Sequence, residues 1–234
     1  MFVKICGVTT EEDALLSVAL GADALGFNFS ATSKRQVRPG AARDIIRRLP
    51  PEILTVAVFR DQAREHVLEV VNTTRVRAVQ LHGHETPEYA QWVHQRVPVL
   101  IPAFAAGDPG LDQLAEYGAD AVLIDSPTPG SGEIFDWRVL ERAPVAHRRL
   151  ILAGGLNSEN VADAIGAVRP WGVDVASGVE SAPGRKDPVK LRAFIEAAKA
   201  ALPDDSGPNE QDPAADSGSD PTPFDWQEDP SLWR

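Results

Sequence analysis

The sequence is short of cysteine and of long apolar runs. Cys6 is the only cysteine among 234 residues, so no disulfide can form within the chain. No stretch reaches the roughly 18–20 apolar residues that a membrane-spanning helix needs. The first five residues resemble a buried strand and lack the basic region, long apolar run and cleavage site of a signal peptide. We therefore expect a cytoplasmic protein that does not bind a membrane.

Positive charge is also scarce. The formal net charge is −11, and residues 203–234 carry nine Asp and Glu against one Arg, which leaves −3 for residues 1–202. Nucleic acids and anionic membranes are bound by clustered Lys and Arg, so this balance argues against both as partners.

The last 32 residues differ from the rest in composition. Residues 203–234 are rich in Pro, Gly, Ser and Asp and contain few residues that could join a core, which favours a disordered acidic tail. The tripeptide Phe-Asp-Trp occurs at residues 135–137 and again at 224–226. Coincidence is the favoured explanation. The alternative is a short docking motif for a partner or for the barrel itself, which leaves a partner for the tail open.

Between residues 3 and 201, short apolar segments alternate with amphipathic ones. The apolar segments have the length and near-continuous hydrophobicity of strands buried on both faces, whereas the others show helical spacing. The predicted strands are residues 3–6, 24–29, 54–59, 78–81, 99–104, 121–124, 150–152 and 172–175. The predicted helices are residues 10–20, 39–49, 63–72, 87–96, 111–117, 136–142, 158–168 and 188–201.

This alternation predicts an α/β fold with one domain, residues 1–202, built as a (βα)8 TIM barrel. Thr10 with Asp13 has the pattern of a helix cap, and Pro87 and Pro188 suit the first turns of their helices. An open doubly wound sheet is the alternative. It would usually have fewer strands and often a glycine-rich loop after strand one, where this chain has Cys6-Gly7-Val8-Thr9.

In such a barrel the functional residues lie at the C-terminal ends of the strands. Gly154 and Gly155 follow strand seven, and Ser177 and Gly178 follow strand eight. Glycine-rich turns at these two places form the usual phosphate site of the fold, because backbone N–H groups can approach the anion closely. An ordinary tight turn is the alternative for Gly154-Gly155. We predict that these four residues bind the phosphate of a small-molecule substrate.

Cys6 and Asp125 end strands one and six and are the candidate proton-transfer pair. A thiol acts as a general base when its pKa is lowered or a neighbour accepts its proton. The alternatives are a small buried hydrophobic residue for Cys6 and a cap or salt bridge for Asp125. Their positions at strand ends favour catalysis.

Two further features carry less weight. His82, His84 and Glu85 could suggest a metal site, but their loop spacing offers no full ligand set, and we expect no metal. Arg35, in the loop after strand two, could clamp a carboxylate bidentately or simply be a solvated charge.

Six segments in order along the chain resemble phosphoribosylanthranilate isomerase, an enzyme family of tryptophan biosynthesis. They are Lys4-Ile5-Cys6-Gly7, Gln80-Leu81-His82-Gly83, Leu123-Ile124-Asp125-Ser126, Gly130-Ser131-Gly132 with Phe135-Asp136-Trp137, Ala153-Gly154-Gly155-Leu156-Asn157, and Gly172-Val173-Asp174-Val175 with Ser177-Gly178-Val179-Glu180. The resemblance as a whole covers residues 3 to about 200.

The resemblance implies an Amadori rearrangement of N-(5-phosphoribosyl)anthranilate. Asp125 would be the general acid and Cys6, as thiolate, the general base, with neither metal nor other cofactor. Arg35 would pair with the anthranilate carboxylate, and His82 would lie near the substrate. We expect a monomer or homodimer.

Three other functions agree less well with the sequence. The related aminoaldose isomerase of histidine biosynthesis, or a dual-substrate enzyme, resembles barrels with an aspartate at the end of strand one, where Cys6 stands here. Indole-glycerol-phosphate synthase needs a lysine and glutamate set that these strand ends lack. A non-catalytic barrel that binds a phosphorylated ligand would not need an acid and a base placed together.

Overall fold

The computed structural model describes residues 1–126 and 149–201. In these residues eight parallel strands form a closed barrel in chain order, with β8 pairing back onto β1. The barrel strands are β1 Phe2–Cys6, β2 Ala24–Asn28, β3 Leu54–Phe59, β4 Ala78–Leu81, β5 Val99–Ala105, β6 Ala121–Asp125, β7 Arg149–Leu152 and β8 Gly172–Val175. The predicted (βα)8 barrel is confirmed, and each predicted strand in the list is present to within one residue at either end.

Helices lie between the strands around the outside of the barrel. They are α1 Glu11–Ala19, α2 Pro39–Ile46, α3 Arg64–Thr74, α4 Pro87–His94, α5 Val161–Val168 and α6 Pro188–Ala200. The expected starts are confirmed: the Thr10 hydroxyl accepts the N–H of Asp13 at 3.2 Å, and Pro87 and Pro188 each open a helix. The predicted helix 158–168 begins only at Val161, because the Asn157 side chain holds the preceding residues in a turn.

The segment after β5 is a 3-10 helix, Pro109–Tyr117, where an α-helix was predicted for residues 111–117. Its buried side chains are Leu111, Leu114 and Tyr117. With three residues per turn, side chains spaced three apart lie on one line along the helix. The tighter winding therefore places all three against the core.

The core has two layers, which follow from the alternation of side chains along each strand. Val3 and Ile5 of β1 belong to the large cluster between barrel and helices, whereas Phe2 belongs to the cluster inside the barrel. Lys4 and Cys6 alternate with Val3 and Ile5, so they share the inward face of β1 with Phe2. The barrel interior thus carries ionisable groups toward the C-terminal end of this strand.

A short hairpin, which the sequence patterns did not predict, follows β8. Strand β9, Glu180–Ala182, pairs antiparallel with β10, Arg185–Lys186. Strands of two and three residues are too short to produce a recognisable periodicity. The hairpin matters because it carries Glu180 and Lys186 to the end of the barrel where the site lies.

Several predictions lie outside the described residues: the helix 136–142, both Phe-Asp-Trp tripeptides, and the disordered tail 203–234. In the residues that are described, no helix has the length and hydrophobicity needed to cross a membrane.

Candidate active site

The barrel gathers the predicted site residues at one end. Cys6 and Asp125 are the last residues of β1 and β6, and His82 follows directly on β4. The loops after β7 and β8 hold the two predicted phosphate-binding segments, and the loop after β2 holds Arg35. Because all eight strands are parallel, their C-terminal ends form a single rim. Residues far apart in the sequence therefore border one site.

A pocket with about 370 Å³ of empty space opens between β6, β7 and β8. Its lining residues are Asp125, Ala153, Gly154, Gly155, Leu156, Asp174, Val175, Ala176 and Ser177. Three of the four predicted phosphate-binding residues are in this lining, together with the predicted acid. Gly178 lies just beyond it, and Cys6, Arg35 and His82 border other parts of the rim.

The loop after β7 needs glycine at its first two positions. Gly154 and Gly155 have φ of +91° and +64°, in the left-handed region that glycine adopts without strain. A side chain at position 154 would collide with the backbone nitrogen of Ser126 and lie 3.0 Å from Asp125 Oδ1. Glycine there lets the β7 loop close directly over the carboxylate of Asp125.

Backbone N–H groups face the same region. Ser177 and Gly178 open the short 3-10 helix Ser177–Val179, and the first N–H groups of a helix have no partner within it. In residues 1–126 and 149–201 the N–H groups of Gly155, Ser177 and Gly178 donate to no other protein group. Gly178 is also packed so closely against the carbonyl oxygen of Leu156 that any side chain would clash. The two loops thus touch and present neighbouring donors.

Asp125 is buried, and its two oxygens have different surroundings. Oδ1 accepts the N–H of Ser126 at 2.7 Å, whereas Oδ2 lies 3.5 Å from His82 Nε2, too poorly aligned for a hydrogen bond. Gln80 Nε2 lies 3.2 Å from His82 Nδ1. This contact with Gln80 orients the His82 ring beside Asp125. The oxygen Oδ2 accepts no hydrogen bond from the described residues, whereas Oδ1 is engaged by Ser126.

Cys6 is partly exposed at the rim and has Lys4 below it on the same face of β1. Burial among protein atoms raises the pKa of the Cys6 thiol above its ordinary value, although the charge and hydrogen bond of Lys4 oppose this shift. Lys4 is fully buried, and its Nζ lies 2.9 Å from Asp174 Oδ1 across the β1–β8 pairing. Burial alone would lower the pKa of Lys4, but the charges of Asp174 and Cys6 outweigh it and raise that pKa.

Arg35 takes part in a second ion-pair network. Its Nε and Nη2 contact the Glu180 carboxylate bidentately, at 2.9 and 2.8 Å. Lys186 Nζ lies 3.1 Å from the other side of this carboxylate and also donates to the carbonyl oxygens of Cys6 and Ala176. Burial would raise the pKa of Glu180, but Arg35 and Lys186 together hold it below its ordinary value. The network ties the ends of β1 and β8 to the loop after β2.

The predicted bidentate contact of Arg35 with a substrate carboxylate stays a prediction. Glu180 occupies the edge formed by Nε and Nη2, which leaves both N–H groups of Nη1 and the second N–H of Nη2 for a ligand. Sequence reasoning also missed the pairing of Lys4 with Asp174 and the role of Lys186. A signal was present for the first pair, since each is a charged residue within a strand that is otherwise apolar.

The His82, His84 and Glu85 segment has a structural explanation. The Glu85 carboxylate accepts the backbone N–H groups of Asp61 and Gly83, both at 2.8 Å, and so joins the loops after β3 and β4. The His84 ring is exposed and faces Asp61 at 3.3 Å. Across the described part of the chain, no group of three His, Cys, Asp or Glu side chains is arranged to hold a metal ion.

The fold and the site place this chain in the class of (βα)8 barrels that have a glycine-lined pocket after β7 and β8 and ionisable side chains around the rim. Comparison with known proteins narrows the class. The family model described as N-(5'-phosphoribosyl)anthranilate isomerase matches residues 3–197. The chain belongs to this family.

Individual relatives agree. The curated N-(5'-phosphoribosyl)anthranilate isomerase of Trichlorobacter lovleyi is 47% identical over 205 residues, covering 86% of this chain and 98% of the relative. The crystal structure of the Thermus thermophilus phosphoribosylanthranilate isomerase is 44% identical, with a TM-score of 0.80 over 86% of this chain and 99% of that one. Another isomerase of the family, solved with reduced 1-(o-carboxyphenylamino)-1-deoxyribulose 5-phosphate, is 40% identical with a TM-score of 0.75 and the same coverage.

Proposed function

We propose that this protein catalyses the Amadori rearrangement of N-(5-phosphoribosyl)anthranilate to 1-(o-carboxyphenylamino)-1-deoxyribulose 5-phosphate, a step of tryptophan biosynthesis. Membership of the isomerase family supports the reaction. The observation that carries the residue assignment is the pocket in which Asp125 lies beside Gly155 and Ser177. A substrate phosphate in the glycine-lined part of that pocket would place its sugar within reach of the carboxylate.

The first step is ring opening, with Asp125 as general acid. In its protonated form Asp125 donates a proton to the furanose ring oxygen, the C1–O bond breaks, and the amine lone pair forms a C1=N double bond. Asp125 Oδ2 suits this role because Oδ1 is already engaged by Ser126, while Oδ2 accepts no hydrogen bond from the described residues. His82, whose Nε2 lies 3.5 Å from Oδ2, borders the carboxylate produced when the proton leaves.

The second step is proton removal from C2, with Cys6 as general base. The thiolate takes the C2 proton, the C–H electrons form a C1=C2 double bond, and the iminium nitrogen regains its lone pair. The resulting enolamine becomes the ketone when its hydroxyl loses a proton and C1 gains one. Because the iminium draws the electrons away from C2, this step as written requires no cofactor.

The remaining contacts fix the substrate at its two charged ends. The Nη1 and Nη2 N–H groups of Arg35 that do not contact Glu180 would bind the anthranilate carboxylate, while Glu180 holds the guanidinium in a single orientation. Gly154, Gly155, Ser177 and Gly178 would surround the phosphate with backbone N–H groups and the Ser177 hydroxyl. Two anchors at opposite ends of the substrate would align the ring oxygen and C2 with different catalytic groups.

We also propose that the enzyme works in the cytoplasm as a monomer or homodimer. A related isomerase from Thermotoga maritima, 38% identical with a TM-score of 0.75, is described as dimeric, with monomers generated from it. The charged substrate does not cross membranes unaided, so the enzyme is expected where the substrate is made. Light scattering of the purified protein and fractionation of cells that express it test the two statements.

The deciding experiment follows anthranilate-type fluorescence after purified protein is mixed with freshly generated phosphoribosylanthranilate. The wild type should remove the emission rapidly, and Cys6→Ser and Asp125→Asn should lose at least about a hundredfold in kcat. Asp23→Asn, which alters a carboxylate on the outside of the barrel, is the matched control and should keep its activity. Near-normal turnover by either site variant would reject that residue's role, and an inactive, well-folded wild type would reject the reaction.

A further inference from the structure

The barrel interior contains a fully buried ammonium group directly below the catalytic rim. Lys4 lies two residues before Cys6 on β1, so both side chains point into the barrel. Its Nζ is 2.9 Å from Asp174 Oδ1, and the two residues are register partners across β1 and β8. Burying a lysine costs free energy unless its charge is paired, and Asp174 supplies that pairing. The pairing does not by itself explain why an ammonium group lies below the catalytic rim.

The ammonium and the thiol border the same small space. A methyl group built on Gly26 would lie 2.9 Å from Cys6 Sγ and 3.2 Å from Lys4 Nζ. The absence of a side chain at Gly26 on the neighbouring strand leaves room for the two groups to meet. Asp174, on the other side of β1, holds the ammonium at this level of the barrel.

The charges around Cys6 do not cancel. Three cations face it from the surrounding elements: Lys4 on its own strand, Lys186 on β10, and Arg35 on the loop after β2. Two carboxylates accompany them, Asp174 on β8 and Glu180 on β9, and Glu180 contacts both Arg35 and Lys186. These five groups together carry one net positive charge, and Lys4 is the cation with the largest effect on the sulfur.

We propose that Lys4 is a positioning residue that supplies the counter-charge for the thiolate form of Cys6, and that Asp174 holds its ammonium in place below the sulfur. The inference rests on the role of Cys6 as the base in the proposed function. It explains how a thiol surrounded by protein atoms could still yield a usable fraction of thiolate: burial raises the pKa of Cys6, and Lys4 is the foremost group opposing that rise.

The test measures thiolate formation directly, because Cys6 is the only cysteine of the chain. The rate of alkylation by iodoacetamide is recorded from neutral to alkaline pH, and its midpoint reports the titration of Cys6. The double variant Lys4→Met/Asp174→Asn removes the ammonium without leaving a buried carboxylate unpaired. Its midpoint should rise by about one pH unit, a tenfold smaller thiolate fraction at neutral pH, and kcat/KM should fall about tenfold.

Asp174→Asn alone should move the midpoint in the opposite direction, because the asparagine oxygen can still accept from Lys4 and hold the ammonium in place, while the negative charge that opposes the thiolate is gone. The matched control is Lys199→Met/Asp23→Asn, which removes another Lys–Asp pair, at 2.6 Å, outside the barrel, and should leave the midpoint unchanged. An unchanged midpoint in a folded Lys4→Met/Asp174→Asn protein, or a rise in Asp174→Asn, would overturn the proposal. The alkylation midpoint decides the role of Lys4, whereas the Cys6→Ser assay decides whether the thiol is the base, so the two ideas can fail separately.

Discussion

Arg35 and Glu180 form a bidentate ion pair that joins two sides of the barrel rim. Arg35 lies in the loop after β2 and Glu180 begins β9 after β8, 145 residues away, yet three N–H···O contacts of 2.8–3.1 Å connect them. The Glu180 side chain is 4% exposed, so the pair is shielded from solvent. A guanidinium held in this way has a fixed orientation before any ligand binds, which reduces the side-chain conformational entropy lost on binding.

Glu180→Gln should weaken substrate binding more than it slows chemistry. The amide cannot hold the Arg35 guanidinium with two charged contacts, so the remaining N–H groups of Arg35 would no longer be fixed for the anthranilate carboxylate. We expect KM to rise about tenfold with a smaller change in kcat, measured by the fluorescence assay. Asp23→Asn, with unchanged KM, is the control. A lower KM in Glu180→Gln would mean instead that Glu180 competes with the substrate for Arg35.

The same substitution should cost stability in a way that depends on pH. The pKa of Glu180 is held below its ordinary value of 4.5 by Arg35 and Lys186, against the effect of burial. A carboxylate with a depressed folded-state pKa contributes stability that is fully present above 4.5 and is lost as pH falls through the folded-state value. Glu180→Gln should therefore be about 1–3 kcal/mol less stable than wild type at pH 7 by urea unfolding. The difference should shrink below pH 4.5, and a constant difference down to pH 2 would contradict the electrostatic explanation.

His94 should show the opposite pH dependence. Its Nε2 lies 3.0 Å from Asp120 Oδ2, and the hydrogen bond to Asp120 raises the pKa of His94 above its ordinary value of 6.5. A raised pKa gives stability that is fully present below pH 6.5 and is lost as pH rises through the folded-state pKa. His94→Gln should lower the free energy of unfolding by about 0.5 kcal/mol at pH 5.5, a small effect because the pair is partly exposed. The loss should be smaller at pH 9, where less of His94 is protonated. Equal losses at the two pH values would exclude a charged interaction.

Gly154→Ala tests the contact between the β7 loop and the predicted acid. Alanine would be strained at φ +91° and would push against Ser126 and Asp125, so we expect a stability loss of about 1–3 kcal/mol. Displacement of Asp125 should also lower kcat at least about tenfold. Gly166→Ala is the control: that glycine lies in α5 with open space around it, and alanine there should stabilise the helix by up to about 1 kcal/mol. Normal kcat in a folded Gly154→Ala protein would argue against Asp125 as the acid.

Removal of residues 203–234 should leave catalysis unchanged. The barrel closes between β8 and β1, and α6 packs its buried residues Leu191, Phe194 and Ile195 against it before residue 201. The family match also ends at residue 197. We expect the truncated protein to keep kcat, KM and oligomeric state. A change in any of them would assign the tail a role in catalysis or assembly.

Much of the site could be predicted because it depends on local pattern. Apolar runs end at Cys6 and Asp125, and a parallel barrel brings all such ends to one rim, so position alone marked both residues. Glycines after two strands marked the pocket in the same way. The winding of Pro109–Tyr117 could not be predicted, since Leu111, Leu114 and Tyr117 suit either helix type until the core they pack against is known.

The pairing of charged side chains depended on barrel closure. Lys4 and Asp174 are 170 residues apart and meet because β8 aligns in register with β1; nothing in either strand specifies that register. Arg35, Glu180 and Lys186 meet because a hairpin too short to leave a periodic pattern folds back over the rim. Hydrophobic periodicity is a property of neighbouring residues, and it was enough to predict the strands, the helices and the strand-end residues. Which ammonium lies beneath which thiol is a property of long-range packing, and only the closed barrel decides it.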